Sequence, residues 1–353
     1  MVGFTEEFNK MIPIHNIYYM LTYAFSTLND SGYKDVGAES FDNIYDLYSS
    51  ILIKGVSIQL KRGLNRQYIT ETESLSTLRG RIDISASIAT QSMERKQLVC
   101  TYDEFSENNP LNRILKSTMV LLLRVNIEKS RKKELRKLLV FFNDVECIDV
   151  HNVDWNIKCD RNNKSYQLLL YICRMVIDGV LQTGNDGKIR LMEHMDDQAM
   201  HRLYEKFILE YYRKEHPDIR ANVSQIPWDL DDGYSDMLPI MQSDIMLSKK
   251  NTVLIIDAKY YSHTTQSRHE AHTIHSGNLY QVFTYVKNKE AEFKGKECTV
   301  SGMLLYARTD ESVQPDHVYS MGGNRITVRT LDLNQDFSMI KEQLDSIKMV
   351  HFG

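Results

Sequence analysis

The sequence predicts an α/β protein of two domains, a mixed α+β domain over residues 1–162 followed by an α/β domain over 163–353. Three observations lead there. A chain of 353 residues is longer than one hydrophobic core usually organises. Its texture changes near residue 160, from helices interleaved with short β-like pieces to long helices, several strands, a helix and a strand. The continuous apolar run Val253–Ile256 marks a strand buried on both faces, as in the centre of an α/β sheet.

Ile12–Leu28 has apolar residues at helical spacing after Pro13, and Phe41–Leu60 repeats the pattern with Ile44, Leu47, Ile51 and Leu52. Two helices therefore open the chain. Gln67–Glu73, Ser76–Ile88 and Gln97–Phe105 then alternate and are rich in β-branched residues, which predicts a small sheet or hairpins. Asn109-Pro110 starts a helix through LNRILKSTMVLLLRV. A further helix over Ser130–Phe142 carries Arg131, Lys132, Lys133, Arg136 and Lys137, either a solvated face or a contact for nucleic acid or a partner.

The polar stretch Cys159–Ser165 is the expected domain boundary. Beyond it lie helices at Tyr166–Leu181 and Asp196–Arg213. Strands follow near Ile219–Ile226, Ile240–Leu247 and Thr252–Ile256, then a helix around Gly277–Lys289 and a strand near Thr299–Tyr306.

Composition narrows the function. Charged residues make up 25% and hydrophobic ones 42%, with 6 Pro and 16 Gly, so nearly all of the chain is expected to be ordered. The five cysteines form no CxxC pair, which argues against a zinc ribbon or a disulfide framework and for thiols in a reducing cytoplasm. No leader-like N-terminus and no membrane-length apolar run is visible, so a cytosolic protein is expected. A net charge of −4 excludes gripping a polyanion with the whole surface; any nucleic-acid contact is local or shared with a partner.

The chemistry concentrates in MLPIMQSDIMLSKKNTVLIIDAKYY. The polar turn Ser248–Asn251 joins two strands into an antiparallel hairpin, and alternation puts Asp257 and Lys259 on one side of the second. Asp244, on the first strand, is expected to approach Asp257 at one edge of the sheet. Two carboxylates that close repel unless a cation lies between them, and Mg²⁺, which takes one or two protein carboxylates, suits the site. Such an ion activates water and stabilises charge on a phosphate, with Lys259 orienting the nucleophile, so the arrangement suits phosphodiester hydrolysis. A structural ion pair between Asp257 and Lys259 is the other reading.

Flanking residues extend the site. Glu205 lies in a helix preceding the hairpin, in reach of the metal or else on the surface. Gln281 and Tyr285 stand four apart on one helix face, placed for a substrate backbone, with Tyr285 equally suited to a core. The stretch RHEAHTIHSG holds His269, Glu270, His272 and His275, with His263 upstream, but its spacing is not HExxH; zinc binding and a polar loop over the site both remain open.

The segments IPIHNIYYMLTYAF, KRGLNRQY, LRGRIDIS and DEFSENNPLNRILK in the first half, and SDIMLS, LIIDAKYY and NLYQVFTYV in the second, carry a resemblance over most of the chain. The sequence resembles the McrC family, nuclease subunits of modification-dependent restriction systems. The family motif of an Asp followed by Asp-x-Lys falls on Asp244, Asp257 and Lys259; Ser243 stands where the broader PD-(D/E)xK group carries its proline. The resemblance implies a PD-(D/E)xK restriction-endonuclease-like core and a partner, an McrB-like AAA+ GTPase hexamer that binds GTP and recognises double-stranded DNA containing modified cytosine. The chain itself has no GxxxxGK[ST] loop, since TGNDGKIR lacks the spacing and the hydroxyl residue. The N-terminal domain would then engage the ring through 62–105, with Arg62, Arg66, Arg79 and Arg81 supporting hydrolysis or simply fixing hairpins. A stand-alone PD-(D/E)xK nuclease and a non-catalytic activator of an AAA+ NTPase are the alternatives.

Overall fold

The computed structural model describes residues 12–33, 35–157, 165–181, 197–261, 265–268, 271–309, 311 and 313–353. In chain order come α1 (Ile14–Ala24), α2 (Ile44–Arg62), β1 (Gln67–Leu75), β2 (Arg81–Ile82), α3 (Ile84–Ala89), β3 (Leu98–Ser106), α4 (Pro110–Leu122), α5 (Lys129–Leu139) and α6 (Tyr166–Leu181). The second half holds α7 (Asp197–Glu215), β4 (Arg220–Ile226), β5 (Met241–Lys249), β6 (Thr252–Lys259), β7 (Thr265–Arg268), β8 (Ala271–Ile274), α8 (Ser276–Ala291), β9 (Thr299–Ala307), β10 (His317–Met321), β11 (Asn324–Leu331) and α9 (Phe337–Phe352).

These elements form two compact units, one within Ser31–Glu193 and one combining Met1–Asp30 with His194–Gly353. The division differs from the 1–162 and 163–353 expected, because packing, not chain order, assigns α1 and α6. The Tyr23 ring of α1 lies 5.7 Å from Phe207 and 5.4 Å from Tyr211 on α7. The Asn16 amide donates to the carbonyls of Leu333 and Gln335, each at 2.8 Å. Conversely, Tyr166 at the start of α6 accepts from Asn65 N and donates to Asn112 Oδ1, which ties α6 to the earlier unit. Of the stretch that suggested a boundary, all but Ser165 lies outside the described residues.

In the unit within Ser31–Glu193, local chemistry sets the helix ends. The Asn43 side chain accepts from Asp46 N at the start of α2, and Gly63, at φ 87°, ends that helix in a backbone conformation that costs glycine little. Asn109 caps α4 with Pro110 in its first turn. A three-stranded sheet of order β1-β3-β2 confirms the small sheet, with one correction. Within Ser76–Ile88 only Arg81 and Ile82 pair with β3. Asp83 then accepts from Ala86 N at 2.9 Å and caps a short helix, α3, so the β-like reading fails there.

The other unit is built on a six-stranded mixed sheet of order β10-β11-β9-β6-β5-β4. β6 is central, antiparallel to β5 and parallel to β9. The hairpin turn is tighter than expected: Lys249 pairs with Thr252, which leaves Lys250 and Asn251 as the loop, Lys250 at φ 53°. Val253 and Ile255 of β6 join Val282, Tyr285 and Val286 of α8 in one core. Gly302 of β9 permits this closeness, since a Cβ there would lie 2.8 Å from Val286 and 2.9 Å from Val282. Leu254, Ile256 and Ala258 alternate to the opposite face, where Tyr212 of α7 donates to the Leu344 carbonyl of α9. The C-terminal β10, β11 and α9 extend the sheet and its cover beyond the elements the sequence predicts. No helix is long and apolar enough to cross a membrane among the described residues.

Candidate active site

β6 runs as a strand through Lys259, so backbone pairing with β9 holds the acid-x-lysine triplet. Asp257 and Lys259 follow Val253 and Ile255 onto the face beneath α8. Continuing the pairing of Ile245 with Ile256 by one step sets Asp244 opposite Asp257. The expected meeting of the two aspartates is therefore present, but between interior strands of the sheet rather than at its edge. Asp244 is fixed there by the backbone, its Oδ2 accepting from Ala258 N at 3.0 Å.

Asp257 is only 1% exposed and Lys259 8%. Lys259 Nζ stands 3.0 Å from Asp257 Oδ1, a close ion pair, yet neither carboxylate oxygen of Asp257 receives a well-directed hydrogen bond. Burial first, then the facing Asp257 and Glu205, push the Asp244 carboxyl up to about 7. Burial raises Asp257 too, against the pull of Lys259 and of a hydrogen bond from Asp244. Burial works against the Lys259 charge, but Asp257 and Asp244 outweigh it and hold its pKa above the ordinary lysine value.

Glu205 on α7 is the third acid of the cluster, since its charge bears on both aspartates. It is not free: His201, one turn earlier, holds Glu205 Oε1 at 2.7 Å through Nε2, and His201 Nδ1 accepts from Tyr260 N at 3.2 Å. No motif in the sequence singles out His201; its one local signal is the i,i+4 spacing from Glu205, while the link to Tyr260 is visible only in the fold. Gln281 lies on α8 and donates to the Tyr285 hydroxyl at 2.9 Å, and Tyr285 is core, 8% exposed. Of the histidine-rich stretch, His275 precedes α8 and its ring lies 5.7 Å from Tyr261. His263, His269 and Glu270, and the side chain of His272, lie outside the described residues.

These residues fit a divalent cation. If ionised, Asp244, Asp257 and Glu205 set three negative charges against the one positive charge of Lys259, and both Asp257 oxygens lack a well-directed hydrogen bond where burial penalises them. Among the described residues no three His, Cys, Asp or Glu side chains stand together as a ligand group, and the facing aspartates are the pair that could share a cation. That is the small protein share Mg²⁺ accepts.

The four arginines singled out lie in the unit within Ser31–Glu193. Arg62 is exposed in the last turn of α2. Arg66 pairs with Glu107 at 2.8 Å. Arg79 reaches Glu104 at 3.4 Å and sits 4.0 Å over the Tyr102 ring, while Arg81 is exposed opposite Thr101. Tyr68 and Phe105, paired across β1 and β3, are 76% and 54% exposed, an apolar surface on the same small sheet.

A family model described as McrBC 5-methylcytosine restriction system component matches residues 9–307. Over 340 residues the chain is 28% identical to the type IV methyl-directed restriction enzyme EcoKMcrBC of Escherichia coli (strain K12), covering 95% of this chain and 96% of that one. Two solved structures are similar. One is a refined half-complex from the tetradecameric assembly of Thermococcus gammatolerans McrB AAA+ hexamers with bound McrC, at TM-score 0.46 and 17% identity, covering 97% of this chain and 78% of the other. The second is the cryo-EM structure of the Thermococcus gammatolerans McrBC complex, at TM-score 0.40 and 19% identity, covering 59% and 60%.

Proposed function

The chain belongs to the McrBC 5-methylcytosine restriction system component family, and from that premise we propose that it is the nuclease subunit, cutting double-stranded DNA that contains modified cytosine. The observation that carries the reading is the buried meeting of Asp244, Asp257 and Lys259, where burial raises both carboxyls and neither oxygen of Asp257 receives a well-directed hydrogen bond.

Asp244 and Asp257 would hold Mg²⁺. When bound, that ion supplies a lowered pKa for water and charge stabilisation on the scissile phosphate. Asp244 keeps its orientation through the Ala258 amide, which fixes its carboxylate beside Asp257 without a search over rotamers. Lys259, kept charged by the aspartates, orients the attacking water and offsets negative charge that grows on the phosphate. Gln281, on the helix over the same face, contacts the DNA backbone. An McrB-like AAA+ GTPase hexamer is the partner: it binds GTP and selects the modified DNA. The unit within Ser31–Glu193 engages that ring and stimulates hydrolysis, with Arg62, Arg66, Arg79 and Arg81 as the candidate side chains.

The test is Asp257→Ala in a complex reconstituted with the partner GTPase, scored for cleavage of methylated plasmid and for GTP turnover. Cleavage lost with GTP turnover retained is the expected outcome. Cleavage at the parental rate overturns the assignment, and loss of both activities in a folded variant turns the aspartates into structural groups.

A further inference from the structure

We infer that His201 is a positioning residue for this site: it fixes the Glu205 carboxylate beside Asp244 and Asp257, so that three negative charges rather than two draw the cation. The inference rests on the proposed metal site. The carrying observation is that both ring nitrogens of His201 are engaged and that one engagement dictates the other. Tyr260 N is a backbone donor and cannot accept, so His201 Nδ1, 3.2 Å away, must offer its lone pair. The ring hydrogen then sits on Nε2 and points at Glu205 Oε1, 2.7 Å away. Tyr261 lies parallel to the ring, 10° between planes and 6.3 Å between centroids, which limits its rotation.

Tyr260 directly follows Lys259, so the imidazole is indexed to the end of the strand that carries Asp257 and Lys259. Through it, α7 and the end of β6 hold Glu205 in one place. Only Oε1 is engaged by His201, and the Glu205 charge acts on both aspartates. No three-acid ligand group is formed among the described residues, so Glu205 contributes from beside the pair. A half-exposed helix pair of ordinary kind would contribute little to stability and nothing to cation affinity. An outer residue that orients a metal site instead changes affinity about 10- to 100-fold when removed.

Manganese binding to the full-length chain, read by the loss of the free Mn²⁺ paramagnetic signal, separates these. His201→Ala and Glu205→Gln should each weaken Mn²⁺ binding about tenfold, and the double variant should be no weaker than Glu205→Gln alone. His201→Gln, whose amide oxygen can accept from Tyr260 N while its nitrogen donates to Glu205, should stay within about threefold of the parent. Parental affinity in His201→Ala, or a further drop when it is added to Glu205→Gln, overturns the inference. If His201→Ala does not fold, Glu205→Gln decides, and parental affinity there overturns it as well. Asp257→Ala tells the two failures apart. If it abolishes Mn²⁺ binding while His201→Ala changes nothing, only the role of His201 falls; if it binds Mn²⁺ like the parent, the metal-site reading falls with it.

Discussion

Both units bury charge, and they treat it in opposite ways. In the unit within Ser31–Glu193, Asp46 and Arg131 are 3% and 9% exposed, and partners surround them. Asp46 Oδ1 accepts from Glu128 N, Oδ2 from the Asn43 amide, and Arg131 lies 3.4 Å from Oδ1 while reaching Glu39 at 2.7 Å. In the other unit, Asp257 is as deeply buried, yet neither of its oxygens is well bonded, and the cation beside it, Lys259, is shared with Asp244 while Glu205 adds negative charge. A buried carboxylate with a donor on each oxygen, as in Asp46, is architecture, even though Arg131 Nε beside it lacks a well-directed bond. Buried charge left in deficit marks a place where something from outside completes the balance.

Substitutions sharpen that contrast. The largest effect is expected at Asp257→Ala, where loss of one carboxylate should lower DNA cleavage by about 10³-fold or more, the worth of several kcal/mol of charge stabilisation. The folded protein should survive it, because burial already penalises the Asp257 charge and Asp244 remains beside Lys259 to balance it. Urea titration without metal should show Asp257→Ala at least as stable as the parent, and a marked loss would place Asp257 with the architectural charges.

Arg131→Ala is the converse. It strands Asp46 and Glu39, and a broken buried pair costs about 3–5 kcal/mol, readable as a lowered urea midpoint. A change under about 1 kcal/mol would erase the distinction between the two clusters.

A pH series comes next. In metal-free protein Asp244 titrates near 7, above the 3.8 of an ordinary aspartate, so the fold favours its protonated form. Its contribution to stability is therefore whole below pH 3.8 and declines as pH rises through about 7. Mn²⁺ must displace that proton, so its affinity should climb with pH across neutrality. Asp244→Asn should flatten the stability slope, and an unchanged slope would assign the titration elsewhere. The smallest effect belongs to Arg66→Ala. Its pair with Glu107 is exposed, with 54% and 28% of the two side chains accessible, and its removal should shift stability by less than about 1 kcal/mol in the same titration.

The site was legible in the sequence where the signal is local. An apolar run ending in Asp257 and Lys259, preceded by a hairpin strand with Asp244, fixes strand, face and partner from spacing alone. What remained hidden depends on distant chain. The place of β6 in the middle of the sheet comes from its pairing with β9, beyond α8. The tie of His201 to Tyr260 spans two elements, and so its role had no pattern to announce it. The short helix α3 inside an alternating stretch follows from the side chain of Asp83 competing with the sheet. The domain boundary misled for the same reason: a polar stretch breaks the pattern along the chain, while hydrogen bonds and ring contacts decide membership.

The placement of α1 also bears on synthesis. Asn16 leaves the ribosome 317 and 319 residues before the carbonyls it bonds, those of Leu333 and Gln335. The stretch Ser31–Glu193 is complete long before that and is free to fold as a unit on the way. The unit combining Met1–Asp30 with His194–Gly353 gains those bonds only once Gln335 has emerged, so a chain stopped after α7 keeps the Tyr23 contacts with Phe207 and Tyr211 but leaves the Asn16 amide without its two carbonyls.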